Sequence, residues 1–276
     1  MLNKFFKLFE HGTTVKTEIV AGITTFLTMA YILFVNAGIV SEAGLPFTGV
    51  FVATALSAAL TTLFMGVYAN LPIALAPGMG LNAFFTYTLV LTMGMTPAAA
   101  LAAVFLSGIV GIAVSVTPLR RMIIDAIPKS LKLAIGAGIG FFIALIGFKN
   151  AGIIVSNPAT YVALGNIKDP LVILALIGLL ITIVLLAKRV PAAIFFGMVI
   201  TATVGVVMGM FGFIGMPTLP TAVFSANLDF SLVGLFVSGF GDLFSNFGLP
   251  AIFVIIFSLF FVDFFDTAGT FVAVSN

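Results

Sequence analysis

The chain has 276 residues, of which 62% are hydrophobic and only 7% charged, with a mean hydropathy of +1.32. Soluble domains carry about 25% charged residues, so this is an integral membrane protein, and its 11 basic against 9 acidic residues bear on orientation in the bilayer, not on nucleic acid. The absence of cysteine excludes disulfides, thiolate metal sites and Cys nucleophiles, and the only histidine, His11, precedes the first apolar span, which excludes a His-based metal or catalytic site in the membrane.

In chain order, residues 2–9 set Leu2, Phe5, Phe6 and Phe9 beside Lys4 and Lys7, which reads either as a short interfacial amphipathic helix or as a frayed tail. No cleavable signal is expected, because the first apolar run lacks a small-residue cleavage pattern and many spans follow. A span needs about 20 apolar residues, and eight segments qualify: 19–40, 49–69, 71–93, 97–118, 133–154, 171–187, 191–214 and 250–273. The third is unlike the rest. Its core, ALAPGMGLNAFF at 74–85, carries a Pro, two Gly and an Asn. Unpaired backbone in hydrocarbon costs several kcal/mol per group, so broken helix survives only where protein covers it or a cavity lies beside it. Pro72 and Pro77 bracket four residues, too few for a helix, so an extended segment should give way to a helix near Gly78. Half-helices of this kind end near the midplane of transporters and aim their N-terminal dipole at a solute.

The region 215–249, with Pro217, Pro220, Asp229 and Asp242, reads as an external connection containing a surface helix. Gly136–Gly140 and Gly205–Gly209 are GxxxG pairs, given a packing role. Basic residues set the topology. With a cytoplasmic N-terminus and eight crossings, Lys4, Lys7, Lys16, Arg120, Arg121, Lys129, Lys132, Lys188 and Arg189 all fall on the inner side, leaving only Lys149 and Lys168 outside.

Within the membrane, Asp263 and Asp266 stand out. Each costs about 2.5–3.5 kcal/mol at a helix centre. At i, i+3 they share one face, and two desolvated carboxylates so close should not both ionise, which suits a proton carrier. The alternative is a structural carboxylate held by helix N-terminal amides or by Thr267 and Thr270. Asn82, one turn into the half-helix, offers donors and acceptors for one edge of a neutral heterocycle; otherwise it caps broken backbone. Phe84 or Phe85 beside it can stack on an aromatic ligand. Asn36 and Tyr31 in the first span read as structural. Two motif matches carry little. DTAGT at 266–270 lacks the Lys of the P-type ATPase phosphorylation motif and lies in the membrane. GFGD at 239–242 matches the GxGD of intramembrane aspartyl proteases but precedes the other aspartates. No Walker motif, dinucleotide loop or Ser/His/Asp set is present, so an enzyme is not expected.

Together, EIVAGITTFLTMAYILFVN at 18–36, GVFVATALSAALTTLFMG at 49–66, NLPIALAPGMGLNAFF at 70–85, PKSLKLAIGAGIG at 128–140 and VDFFDTAGT at 262–270 carry a resemblance. The chain resembles the AzgA-like purine permeases (adenine, guanine and hypoxanthine transporters) of the nucleobase–cation symporter superfamily, of nucleobase/ascorbate transporter type. The resemblance implies an all-α, uracil-permease-like fold of two inverted seven-span repeats, with spans 3 and 10 each half strand and half helix, and uptake of a purine base with protons. It places Asn82 at the family's span 3 polar position and Asp266 at the span 8 acid beside the base, with Asp263 adjacent. This chain stops at Asn276, where one repeat (18–215), the connection (216–249) and the start of a second (250–276) have been supplied. A truncated product or fragment that does not transport alone is therefore expected.

The expectation is a multi-pass permease of the cell membrane, with a single permease domain over 1–276 and a cytoplasmic or interfacial N-terminus at 1–17. It imports guanine, hypoxanthine or adenine by proton symport. Asn82, Asp266, Phe84, Phe85 and the amide of Gly80 would bind the base, Asp266 and Asp263 would couple the proton, and Pro77 and Gly78 would break the helix. No cofactor or metal is implied. Partners are the purine, membrane lipid and a possible second copy in a homodimer, with no nucleic acid. The alternatives are a permease for another neutral solute such as uracil or xanthine, a non-transporting half-protein, or an intramembrane aspartyl protease using Asp242 and Asp263.

Overall fold

The computed structural model describes residues 5–10, 12–119, 122–123, 128–219 and 228–275, without the side chains of 129, 131–133, 135, 136, 139 and 268–275. The elements are α1 (Val15–Met29), α2 (Tyr31–Ser41), α3 (Phe47–Phe64, continued as a π-helical turn over Met65–Ala69), α4 (Met79–Ala83, continued as π-helix over Phe84–Thr92), α5 (Pro97–Ser115), α6 (Lys129–Asn150), β1 (Ile154–Asn157), β2 (Tyr161–Leu164), α7 (Pro170–Ala187), α8 (Ala193–Met210), α9 (Leu235–Asn246) and α10 (Leu249–Ser275). Among the described residues, six helical stretches are long and apolar enough to cross a membrane: Val15–Ser41, Phe47–Ala69, Pro97–Ser115, Pro170–Ala187, Ala193–Met210 and Leu249–Thr267. These make the chain a multi-pass helical membrane protein. They coincide with six of the eight expected spans. The third expected span is the short helix α4 behind a stretch, 71–78, without regular structure, and the fifth is α6.

Helix starts follow local chemistry. Thr14, Thr96 and Asp169 each accept a backbone N–H of the first turn of α1, α5 and α7, and Pro97 and Pro170 occupy the opening position, where a missing N–H costs nothing. The all-α expectation needs one correction. After α6 the chain forms an antiparallel hairpin in which Asn157 pairs with Tyr161 and Ile154 with Leu164. The Asn157 carboxamide accepts the N–H groups of Ala159 and Thr160 across its turn, the self-bonding that makes Asn a turn former. The expected fifth span ran to 154 because apolar residues continue past Gly152, whereas the helix stops at Asn150.

The chain divides into two compact units, one of Met1–Tyr31, Leu60–Leu75 and Ala144–Asn227, the other of Ile32–Ala59, Ala76–Ile143 and Leu228–Asn276. In the first, α7 and α8 pack through small residues. A Cβ on Gly178 would overlap the Thr201 side chain, and one on Gly197 would overlap Thr182. Each threonine folds its hydroxyl back onto its own helix, Thr182 onto Gly178 C=O and Thr201 onto Gly197 C=O, so the hydroxyl oxygens that stand against the two glycines are already hydrogen-bonded. Of the GxxxG pairs, Gly205 and Gly209 meet Leu174, Met216 and Pro217, a packing role. No described atom lies within 4 Å of a Cβ at Gly140, and residue 136 lies outside the described side chains. Of the N-terminal segment, residues 1–4 and His11 lie outside the described residues. In the remainder Leu8 is buried while Phe5 and Phe9 are exposed.

In the second unit, α4, α5, α9 and α10 share one core. It contains Phe85, Leu89, Ala99, Ala100, Ala102, Ala103, Leu243, Ile252, Ile255 and Leu259. The run of alanines on α5 lets α9 approach until Gly239 sits on the Ala98 carbonyl with no room for a Cβ. The expected surface helix of 215–249 is thus α9, and one of its faces is buried.

Candidate functional site

The site lies within the second unit and is built around the start of α4. Ala76, Pro77 and Gly78 carry no regular structure. Pro77 has no N–H to lose, and Gly78 is the extended N-cap residue (φ −71, ψ 126). The helix that follows has five α-helical and nine π-helical residues. At about 1.5 Å per residue this is at most about 21 Å, against the roughly 30 Å of a hydrocarbon core. The first turn leaves N–H groups without intrahelical acceptors and carries the positive end of the helix dipole.

Asp266, on α10, meets that end. A Cβ on Gly78 would overlap Asp266 Oδ2, so the missing side chain at 78 is what admits the carboxylate. Val262, one turn earlier on α10, lies 3.7 Å from where a Gly80 Cβ would be. Gly78 thus lets α10 close onto the half-helix, whereas a Cβ at Gly80 would meet Val262 in ordinary contact. Asp266 is half-buried, while Asp263 is exposed. Thr267, considered as a partner for Asp266, is exposed, and the Thr270 side chain lies outside the described ones.

One turn beyond Gly78, on the same face, stands Asn82, whose N–H bonds to Gly78 C=O. Its side-chain amide donates to Asn36 Oδ1 on α2. Asn36 Nδ2 donates to Thr54 Oγ1 on α3 at 2.6 Å, and Thr54 donates to Val50 C=O at 2.7 Å. Asn36 and Thr54 are 5% and 3% exposed, so the relay runs through a dry interior, where an unmet polar group is costly. Asn36, read from the sequence as structural, is bonded to both Asn82 and Thr54. Thr54 went unnoticed in the sequence, because a Thr in an apolar span usually satisfies itself on its own helix. Thr86, fully buried on the π-helical part of α4, has no hydrogen-bond partner for its hydroxyl among the described residues. At the far end of α4, Tyr87 donates to Glu42 at 3.2 Å.

The structure brings together Pro77, Gly78, Gly80, Asn82 and Asp266. It places Phe85 in the apolar core and Phe84 at the margin of that core, so Phe85 is engaged in packing. Asp242, the other aspartate of the protease alternative, accepts from Thr96 Oγ1, which caps α5. Among the described residues no group of three or more acidic or histidine side chains could hold a metal.

Residues 16–276 match the sequence profile of the Permease family. The chain is 44% identical over its whole length to a putative permease of Methanocaldococcus jannaschii. It is 42% identical over 98% of its length to the guanine/hypoxanthine permease PbuO of Bacillus subtilis and 41% identical over its whole length to the adenine permease AdeP of Escherichia coli. It spans 61%, 61% and 59% of these relatives. A profile match over nearly the whole chain, on a helical membrane protein with a half-helix site, decides the matter: the chain belongs to the Permease family.

Proposed function

We propose that this chain forms the substrate-binding front part of a purine nucleobase:proton symporter of the cell membrane, with its N-terminus cytoplasmic. The observation that carries the reading is the Asp266 carboxylate seated against Gly78 at the start of a half-helix, with the Asn82 carboxamide one turn away. An N-terminal turn offers donors, a carboxylate accepts or carries a proton, and a carboxamide does both. This set suits a flat neutral ring edged with N–H groups and lone pairs. No Lys or Arg occurs at 17–119 or after 189, so the helices of the site hold no fixed cation for an anionic solute. Relatives named for guanine, hypoxanthine and adenine support a purine.

In this reading the amides near Gly80 and the Asn82 side chain hold the base, with Phe84 beside it. Asp266 accepts a ring N–H or carries the coupling proton, and Asp263 stands by on the same helix. The complete architecture is a pair of inverted seven-span repeats, rocking one region against another to alternate access. The test is uptake of radiolabelled hypoxanthine, guanine and adenine by cells that express the protein from its complete reading frame, with and without a protonophore. Saturable, protonophore-sensitive uptake of a purine supports the reading. Uptake of uracil in preference, or of no base, overturns it.

A further inference from the structure

We propose that the buried relay Asn82–Asn36–Thr54 is a specificity device that fixes which end of the Asn82 carboxamide faces the ligand and thereby separates 6-oxopurines from 6-aminopurines. The inference rests on the reading of the site as a purine site. Its polarity is set from one end. The Val50 main-chain carbonyl can only accept, so it takes the Thr54 proton. Thr54 Oγ1 then turns a lone pair toward Asn36 and demands a donor, which fixes the Asn36 amino group there. The Asn36 carbonyl oxygen is left facing Asn82 and in turn demands the Asn82 amino group. Three helices contribute, and both inner members are nearly inaccessible to water, so no solvent is at hand to re-route a reversed amide. Asn82 itself is half-buried, and rotating its carboxamide would set its carbonyl oxygen against that of the buried Asn36.

Hypoxanthine and adenine differ in the property that such a device reads. Hypoxanthine carries an acceptor at position 6 and a donor at N1, whereas adenine carries a donor at position 6 and an acceptor at N1. A carboxamide of fixed direction matches one order and opposes the other. A carboxamide free to turn over serves both. Sites that hydrogen-bond their substrate reject the mismatched analogue because buried polar groups are left unpaired. Asn36 and Thr54 therefore act as positioning residues through Asn82.

The experiment is competition of unlabelled hypoxanthine and adenine against labelled purine uptake, in cells that express the protein from its complete reading frame. The unaltered protein is expected to separate the two bases by about tenfold or more. Thr54→Val, which keeps the shape and removes the relay's anchor, is expected to narrow the ratio to within about threefold, and Thr54→Ser to preserve it. A purely structural role would weaken both bases alike and leave the ratio unmoved. An unchanged ratio in Thr54→Val overturns the inference. Should that variant fail to reach the membrane, Asn36→Ala poses the same question at the middle link. Independently of any variant, an unaltered protein that takes both bases within about threefold of each other overturns the inference while leaving the purine reading intact. A protein that takes up neither base overturns both.

Discussion

The Asp266 carboxylate occupies the place where a side chain at Gly78 would begin. The backbone there is ordinary extended chain (φ −71, ψ 126), which any residue adopts, so glycine is required by the space and not by the dihedral angles. Gly78→Ala should therefore fold with little backbone strain yet push the carboxylate off the start of the half-helix. Uptake is expected to fall at least about tenfold, the equivalent of about 1.4 kcal/mol in the binding or transport step. Thermal stability in detergent should change little. Transport assays paired with melting curves check both halves.

Thr86 gives a prediction of opposite sign. Its hydroxyl is fully buried without a partner among the described residues, and an unsatisfied buried polar group costs about 1–3 kcal/mol. Thr86→Val keeps the shape and removes the hydroxyl. It should raise the melting temperature of the purified protein and leave the hypoxanthine-to-adenine ratio unchanged.

Gly239 and Gly241 lie two residues apart on α9 but in different surroundings. A Cβ at 239 would run into the main chain of Ala98, which cannot give way, whereas no described atom lies within 4 Å of one at 241. Gly239→Ala should destabilise the protein by about 2 kcal/mol or more. Gly241→Ala should be neutral or slightly stabilising, since alanine favours helix over glycine. The difference between the two melting temperatures is the readout.

Asp229 supplies a pH dependence outside the spans. Hydrogen bonds from the Ser231 hydroxyl and N–H, and from Thr48, hold its carboxyl below the ordinary value of 3.8. A carboxyl whose value is lowered on folding stabilises the fold above the unfolded value and loses that contribution as pH falls through the lowered one. The segment at 228–234 should therefore stay docked on the start of α3 down to about pH 4 and loosen below it. Asp229→Asn should remove that acid dependence. Hydrogen exchange at residues 228–234 between pH 5 and pH 3 measures it.

The broken third span is readable in the sequence because its residues are individually out of place in a membrane helix. Pro72 and Pro77 forbid a continuous ladder, and Gly78 and Asn82 mark the restart, which comes at Met79. The helix caps at Thr14, Thr96 and Asp169 are equally local signals. What stays hidden depends on tertiary approach. Asn36 and Thr54 are 18 residues apart, and nothing in either span announces the partner. The buried face of α9 rests on Gly239 reaching Ala98, 141 positions earlier in the chain, although its glycine-rich sequence looks like a surface connection. The π-helical stretch at Phe84–Thr92 follows no residue preference that separates it from an α-helix. The hairpin after α6 is concealed because its first strand prolongs the apolar run of the helix before it.

Proton-coupled uptake by Asp266→Asn is the most direct measurement of the central claim that Asp266 and the half-helix form the purine site. It is made in cells that express the protein from its complete reading frame, with radiolabelled hypoxanthine and guanine and an imposed inward proton gradient. The unaltered protein should accumulate a purine and lose the accumulation with a protonophore. Asp266→Asn, present in the membrane at equal level, should accumulate none. Gradient-driven accumulation by Asp266→Asn at the rate of the unaltered protein would contradict the assignment.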